Sequence, residues 1–244
     1  MIITLANNKG GVSKTTIAQA LATGLKNKGY SVLAIDLDPQ GNLSYAMNAG
    51  EPSQTAYDLL NGEQARLCIT ESEQGDIIAS NSHLASVDIN TPHILKERLE
   101  ALKTAYDYIV IDTAPALNML NINALTASDF VIVPATADAF SLQGLSQFSK
   151  SVISIREKYN PHLKIAGIAI SQFNRRTILN RQLSRALKDV AETLDTKVFN
   201  NKIRNAIAIP EAQALQKDIF TYDPKSRVTA DLKALINEII KEVN

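Results

Sequence analysis

The chain of 244 residues is poor in the side chains that build several common kinds of site. It has one cysteine, Cys68, no tryptophan, and an aromatic content of only 5%. A single cysteine excludes a disulfide framework, a CxxC zinc site and a self-contained iron–sulfur cluster. The shortage of aromatic rings argues against a carbohydrate-binding surface and against a stacking platform for single-stranded nucleic acid.

Long apolar runs are also absent from the sequence. No run approaches the ~18 residues that a membrane-spanning helix needs, and no basic residue precedes Lys9 to mark a signal peptide. We therefore expect a cytoplasmic protein with no membrane partner. The hydrophobic fraction of 45% and the charged fraction of 20% are ordinary for a folded globular chain.

The charges are unevenly distributed although the formal net charge is zero. Residues 1–149 contain 8 basic and 15 acidic groups, whereas residues 150–204 contain 12 basic and 4 acidic groups. Local potential, rather than total charge, governs contacts with a polyanion. The basic block at 150–204 therefore indicates either a polyanion-binding face or a solvated surface that happens to be basic.

Apolar runs alternate with helix-like stretches along the whole chain. Some runs, such as Val131-Ile132-Val133, are continuously apolar, which is typical of strands buried on both faces of a parallel sheet. The pattern predicts strands at 2–6, 32–36, 77–79, 108–112, 130–134 and 165–170. It predicts helices at 14–28, 92–104, 117–127, 141–158, 177–194 and 226–243. These repeated βα units predict an α/β fold with a doubly wound, mostly parallel sheet flanked by helices, in a single domain over 1–244.

A candidate phosphate loop lies between the first predicted strand and the first predicted helix. Its sequence is Asn7-Asn8-Lys9-Gly10-Gly11-Val12-Ser13-Lys14-Thr15-Thr16. Glycines let successive backbone N–H groups turn toward phosphate oxygens, and the helix start adds its positive dipole end. In such a loop Lys14 would reach the β- and γ-phosphates, and the Thr15 hydroxyl would bind Mg²⁺. The strict pattern GxxxxGK[ST] is not met, because Asn8 and Ser13 replace its glycines.

Aspartates follow two of the other predicted strands. Asp36 and Asp38 end the second strand at spacing i, i+2, so their side chains point the same way. Taken alone, this pair fits a helix cap as well as a metal site. Asp112 ends an apolar strand, which is typical of a Walker B carboxylate that binds Mg²⁺ through water. Ligands of parallel sheets sit at this edge, where the strands end.

The segment from Lys9 to Thr16 resembles the deviant Walker A motif, KGGxxKT[TS], of the ParA/MinD group of P-loop ATPases. The segment Asp36-Leu-Asp38-Pro-Gln-Gly-Asn42 resembles the group's DxDPQGN motif in full. The resemblance implies ATP and Mg²⁺ as cofactors. The phosphate-binding residues would be Lys9, Gly10, Gly11, Val12, Ser13, Lys14, Thr15 and Thr16.

The same resemblance implies a role for each charged side chain. Lys9 would reach across an ATP-sandwiched homodimer to the partner's phosphates, as an arginine finger does. Asp38 would orient the attacking water. Asp36, with Thr15 and Asp112, would hold the hydrated Mg²⁺. The group usually continues the Walker B strand as DxPP, whereas this chain reads Asp112-Thr113-Ala114-Pro115 and lacks the first proline.

Further segments narrow the resemblance to ParA-type partition ATPases, in the short form without an N-terminal helix-turn-helix. These segments are Asn121–Asp129, Val131–Pro134, Ser141–Leu145, Pro210–Ala212 and Tyr222–Ser226. The resemblance covers residues 1–240. It implies slow, partner-stimulated ATP hydrolysis, a ParB-like centromere-binding partner and a nucleoid-associated location. It also places the adenine near Asn174 and the backbone at Pro210.

The resemblance favours a DNA-binding role for the basic block, because ParA-like proteins bind nonspecific DNA through their carboxyl-terminal half as ATP-bound dimers. Few aromatic residues accompany the block, so we expect phosphate contacts that are sequence-independent. The candidate DNA-binding residues are Arg175, Arg176, Arg181, Arg185, Lys202 and Arg204.

Two alternatives remain: a MinD-like membrane-cycling or other cargo-positioning ATPase, and a metabolic P-loop enzyme of the dethiobiotin synthetase kind. The last predicted helix bears an apolar stripe, but its polar side lacks the aromatic and basic excess of an interfacial helix. We therefore expect the stripe to pack in the core. A metabolic enzyme would need neither Lys9 nor the basic block.

Overall fold

Seven strands form one sheet in the computed structural model, which describes residues 1–174 and 178–244. They are β1 (Ile2–Leu5), β2 (Val32–Leu37), β3 (Ile69–Ser72), β4 (Gly75–Ile78), β5 (Tyr108–Thr113), β6 (Phe130–Thr136) and β7 (Lys164–Ser171). Their order across the sheet is β3-β4-β2-β5-β1-β6-β7. Every neighbouring pair is parallel except β3 with β4. The predicted α/β class with a mostly parallel sheet is confirmed.

Ten α-helices surround the sheet within the described residues. They are α1 (Lys14–Lys26), α2 (Asn42–Ala46), α3 (Ala56–Leu60), α4 (Ile94–Leu99), α5 (Met119–Ala127), α6 (Ala139–Lys158), α7 (Ile178–Thr193), α8 (Ala208–Ala214), α9 (Ile219–Tyr222) and α10 (Arg227–Val243). Polar side chains begin several of them. Ser226, for example, accepts a hydrogen bond from the backbone N–H of Thr229 and so caps α10.

The helices cover both faces of the sheet, because successive side chains of a strand point to opposite sides. In β2, Val32 and Ala34 join a core with α1 and α10, whereas Leu33 and Ile35 join a second core with α3, α4 and α5. A third core lies where β6 and β7 pack against α6 and α7. All six residues of β2 are buried, as the sequence pattern predicted for a strand covered on both faces.

The structure also contains elements that the sequence pattern did not predict. The strand β3 is short, only partly buried and antiparallel at the edge of the sheet, so it lacks the apolar run by which buried strands are recognised. The helices α2, α3, α8 and α9 have at most seven residues each, too few to show a helical period. The helix predicted at 92–104 is α4, which is shorter and continues as a 3-10 turn.

The apolar stripe of α10 faces inward, as we expected from the sequence. Leu232, Leu235, Ile236 and Ile239 are buried in the core shared with α1. Gly24 of α1 allows a close approach there, since a Cβ at this position would lie 2.5 Å from the Ile236 Cδ1 atom. None of the helices in the described part of the chain is both long enough and apolar enough to cross a membrane.

The packing of β7 gives a stability test. A Cβ added at Gly167 would lie 2.7 Å from two ring carbons of Phe199, which is fully buried. Gly167→Ala should lower the free energy of unfolding by about 1–3 kcal/mol, as overpacking does. The matched control is Gly144→Ala in α6, where an added Cβ meets no atom within 4 Å. That variant should gain about 0.5–1 kcal/mol. Equal unfolding free energies in urea titrations of both variants would contradict the close contact with Phe199.

Candidate nucleotide-binding site

The candidate phosphate loop connects the end of β1 with the start of α1 and has an unusual backbone. Gly11 and Ser13 both adopt left-handed conformations, with φ of 70° and 71°. Ser13 is not a glycine, so this conformation costs energy that its surroundings must supply. Val12, between them, is buried and anchors the loop in the fold. A curled loop before a helix N-terminus is the arrangement that turns backbone N–H groups toward an anion.

Contacts with two strands, β6 and β7, hold this loop in place. Asn7 is fully buried, and its side-chain amide donates to the Pro134 carbonyl oxygen of β6 at 2.7 Å. At the end of β7, the Ser171 hydroxyl donates to the Val12 carbonyl at 3.0 Å, and the Gln172 amide donates to the Gly11 carbonyl at 2.7 Å. No sequence motif marks Ser171 or Gln172, and the motif around Asn7 does not show its role, because the pairing of distant segments creates these contacts.

Lys14 lies at the base of the loop with only 7% of its surface exposed. Its Nζ atom donates to the Lys9 carbonyl oxygen at 3.0 Å. Burial lowers the pKa of Lys14, while the negative charges of Asp112 and Asp38 act in the opposite direction. Lys14 therefore places a buried amino group beside the loop and close to two acids.

The aspartates of two adjacent strands meet at the same edge. Asp36 of β2 pairs in register with Asp112 of β5, and both side chains are fully buried. Burial raises the pKa of each carboxyl, and the charge of Asp36 raises that of Asp112 further. The sheet register thus places two buried acids side by side, next to Lys14.

Asp112 and Thr15 fit a magnesium ion. The Thr15 hydroxyl donates to Asp112 Oδ2 at 2.6 Å, whereas the buried Asp112 Oδ1 has no hydrogen-bond partner among the described residues. Carboxylate and hydroxyl oxygens are the ligands that Mg²⁺ prefers, and it is commonly held by one or two carboxylates together with substrate phosphates. The described residues contain no cluster of three His, Cys, Asp or Glu side chains that could hold a metal ion.

Asp36 and Asp38 differ in their surroundings. Asp36 accepts three hydrogen bonds, from the backbone N–H of Asp38 and from both the N–H and the hydroxyl of Ser44. It therefore ties β2 to α2. Asp38 is 7% exposed, and its carboxylate accepts a local bond from the backbone N–H of Gln40 at 3.0 Å.

Lys9 points away from Lys14, toward the start of α6. Its ammonium lies 2.7 Å from the Asp138 carboxylate and also donates to the hydroxyls of Thr136 and Ser141. Burial would raise the pKa of Asp138, but hydrogen bonds from Lys9, Thr136 and Ser141 outweigh it and lower the pKa to about 2. The sequence signal for Asp138 was its position, since it follows β6 and precedes Ser141 by three residues, the spacing of a helix cap.

The two residues expected near the adenine lie on different elements. Asn174 follows β7 and lines a cleft of about 440 Å³. Pro210 is exposed in the first turn of α8, which packs near α1 through a hydrogen bond from Gln213 to Gln19. Asn174 thus lines a cleft, whereas Pro210 lies on the exposed surface of α8.

The basic residues are found in three situations. Lys202 and Arg204 line the same cleft as Asn174, together with Arg227, which the sequence analysis did not single out. The Lys202 ammonium lies 4.4 Å from the centre of the Phe173 ring, and Arg204 forms an ion pair with Asp231. Arg185 is exposed on α7. Arg175, Arg176 and the side chain of Arg181 lie outside what the structure describes.

Comparison with known proteins identifies the family. A family model described as an AAA domain matches residues 1–165. The chain is 35% identical to the chromosome partitioning protein ParA of Caulobacter vibrioides, over 98% of this chain and 93% of that protein. It is 37% identical to the sporulation initiation inhibitor protein Soj of Bacillus subtilis, over 93% and 92%. The chain belongs to the ParA/MinD family of P-loop ATPases.

Solved structures agree with this membership. A chain from Borrelia burgdorferi described as a plasmid partition protein, bound to AMPPNP, is 29% identical with a TM-score of 0.82, and the match covers 98% of both chains. Cobyrinic acid a,c-diamide synthase from Mycobacterium smegmatis, bound to an ATP analogue and magnesium, is 26% identical with a TM-score of 0.84, over 97% and 92%. The ParA/MinD fold therefore occurs both in partition proteins and in a biosynthetic enzyme.

The buried acids predict a pH dependence of stability. The pKa of an unfolded aspartate is about 3.9, and burial raises the pKa of Asp112 in the folded protein. Above pH ~4 the folded protein therefore binds more protons than the unfolded chain. Its stability consequently falls as the pH rises. In metal- and nucleotide-free protein, Asp112→Asn should therefore raise the melting temperature at pH 8. We expect at least roughly 2–4 °C, the shift that ~1 kcal/mol produces in a chain of this size.

The control for this test is Asp88→Asn, which neutralises an exposed aspartate outside the site. The melting temperature of Asp88→Asn should change with pH as that of the wild type does from pH 5 to pH 8. The melting temperature of Asp112→Asn should fall less steeply than that of the wild type over the same range. Identical pH profiles for wild type and Asp112→Asn in scanning calorimetry would contradict the raised pKa.

Proposed function

We propose that this protein is an ATP-dependent partition ATPase that segregates DNA. ATP would join two copies into a dimer that holds DNA without sequence preference, and hydrolysis stimulated by a ParB-like partner would release it. The observation that carries this proposal is the 35–37% identity to ParA and Soj along nearly the whole chain. It accounts for the phosphate loop and the basic block together.

The phosphate loop supports nucleotide binding through its charges. The buried Lys14 ammonium donates to the Lys9 carbonyl, and a nucleotide phosphate would be a stronger partner for it than this neutral oxygen. Thr15 and Asp112 would hold Mg²⁺, which offsets the negative charge of the phosphates and of the two buried acids. Residues 9–16 would supply the remaining phosphate contacts.

Hydrolysis would depend on Asp38 and Lys9. Asp38 lies just beyond the end of β2, beside the buried Asp36, where its carboxylate would orient a water toward the γ-phosphate. Lys9 would have to leave Asp138 to reach the phosphates of the second copy, and a phosphate offers more negative charge than one carboxylate. The dimer would therefore form only with ATP bound.

DNA binding would use the basic block. Arg185 and Lys188 are exposed and lie three residues apart on α7, so they share one side of the helix. Lys202 and Arg204 would add contacts from the cleft beside Asn174, and we include Arg175, Arg176 and Arg181 in the same surface. Long cations without interleaved aromatic rings suit phosphate contacts rather than base reading. Such a protein would associate with the nucleoid.

A second candidate is a metabolic role, favoured by the 26% identity to the diamide synthase. That resemblance is lower than the identity to ParA and Soj, and it gives no use for the exposed cations of α7. A membrane-cycling role has less support, because the apolar stripe of α10 is already buried against α1.

Binding and hydrolysis can be separated by two substitutions. Asp38→Ala should keep ATP and Mg²⁺ affinity but lose turnover, since the water is no longer oriented, and the dimer should accumulate with ATP. Lys14→Ala is the comparison, because it removes the phosphate-binding cation and should abolish both ATP affinity and dimerisation. Calorimetry and analytical sedimentation measure these quantities. A monomeric Asp38→Ala protein that binds ATP normally would contradict the role of Asp38.

DNA binding is tested by a matched pair of double variants. Arg185→Ala/Lys188→Ala should weaken binding equally on unrelated duplexes and reduce the slope of log affinity against log salt by about 0.9 for each lost phosphate contact. The control, Lys96→Ala/Arg98→Ala, removes the same charges from the exposed side of α4 and should leave the slope unchanged. If ATP-bound wild type shows no affinity for duplex DNA at low salt, the partition function is wrong.

A further inference from the structure

The loop between β5 and α5 carries this chain's departure from the family motif. Residues 114–118 connect the Walker B strand with α5, and Ala114 stands where the DxPP motif has its first proline. A proline would fix φ near −65° and stiffen the loop. With alanine, the backbone at 114 loses more conformational freedom on folding, so the ordered loop relies more on contacts with other residues.

The position of this loop matters for the phosphate loop. The Pro115 side chain lies 3.9 Å from the point where a Cβ on Gly10 would stand, so the two loops are in near contact. Asp112 lies only three residues before Pro115, at the end of the same strand. A displacement of residues 114–116 would therefore disturb both the Gly10 backbone and the aim of the Asp112 carboxylate.

One side chain holds the loop from the following helix. The Asn121 amide nitrogen donates to the Ala114 carbonyl oxygen at 2.9 Å and also to the Ala116 carbonyl oxygen. The Ala116 N–H donates to the same Ala114 carbonyl at 2.9 Å, which closes a tight turn. The two carbonyl groups on either side of Pro115 are thus fixed by a single amide.

Asn121 is itself held in position. It is 1% exposed, and its backbone N–H donates to the side chain of Asn118, which caps α5. Its own Oδ1 atom is buried without a hydrogen-bond partner among the described residues, which costs stability. An apolar residue would avoid that cost, but it would leave the two loop carbonyls without their donor.

We propose that Asn121 is a positioning residue that replaces the missing proline of the DxPP motif. Its amide clamps residues 114–116 so that Pro115 stays beside Gly10 and Asp112 keeps the orientation in which it would hold Mg²⁺. This inference rests on the proposed ATPase function, but the clamp itself exists without nucleotide. It predicts that a proline at position 114 makes the clamp dispensable.

The first test measures turnover. Asn121→Ala should lower kcat for ATP by about tenfold, because small displacements in an active site are costly, while the KM for ATP changes little. Ala114→Pro should leave the wild-type rate unchanged, and Ala114→Pro/Asn121→Ala should recover most of it. Ile239→Ala is the matched control, because it removes a fully buried side chain from α10, outside the site, and should not change kcat at 25 °C. An unchanged kcat in Asn121→Ala, or a double variant no faster than Asn121→Ala, would overturn the proposal.

The second test needs no nucleotide. Hydrogen–deuterium exchange of the amides at 113–119 should be faster in Asn121→Ala than in wild type, and slow again in the double variant. If Asn121→Ala does not fold, the double variant is compared with Ala114→Pro instead. Equal exchange rates and equal kcat values in these two proteins would support the clamp. If exchange follows this pattern but the protein has no ATPase activity, the proposed function is wrong and the clamp is supported. If exchange is the same in wild type and Asn121→Ala, the clamp is wrong, whereas the proposed function is unaffected.

Discussion

The parallel pairing of β1 with β5 and β6 is the constraint on which the site depends. Because these strands run in one direction, their carboxyl ends reach the same edge of the sheet. Leu5, the last residue of β1, pairs with Asp112 of β5 and with Ile132 of β6. The phosphate loop, which follows β1, is therefore surrounded by the ends of its neighbours. Asp112, Asn7 and Lys9 all take their positions from this geometry.

Three ionisable side chains are buried together at this edge of the sheet. Asp36 and Asp112 are buried side by side, and the nearby Lys14 is buried as well. Burial acts against ionisation at all three groups, raising the pKa of both acids and lowering that of the lysine. Burying these groups in their charged forms costs the folded chain stability. A cation and an anion bound together would offset this cost, which is the physical basis for expecting a metal–phosphate ligand here.

The phosphate loop is braced by contacts from several strand ends. The amide of Gln172 and the hydroxyl of Ser171 hold it from β7, and Pro115 lies against Gly10 from the β5 side. Lys9 leaves the loop toward Asp138 after β6. The strained backbone at Ser13 is possible because of this support. The loop is consequently linked to the segments that precede α5, α6 and α7.

The sequence by itself determined the α/β class, the position of the phosphate loop and the choice of Asp36, Asp38 and Asp112. These features are local, since a buried strand, a glycine turn and a terminal carboxylate each occupy a short run of residues. The short edge strand β3 and the helices α2, α3, α8 and α9 were not predicted, because they lack a buried period of their own.

Only the tertiary structure decided what these residues touch. The ion pair of Lys9 with Asp138 joins positions 129 residues apart, and the bond from Gln172 to Gly11 joins positions 161 apart. The amide of Asn121 is closer in sequence, yet its two carbonyl partners follow from how α5 folds back on the Walker B loop. Such contacts depend on strand order and register, which side-chain periodicity does not encode. The candidate phosphate loop and its three aspartates could be chosen from the sequence, but the partners of these residues could not.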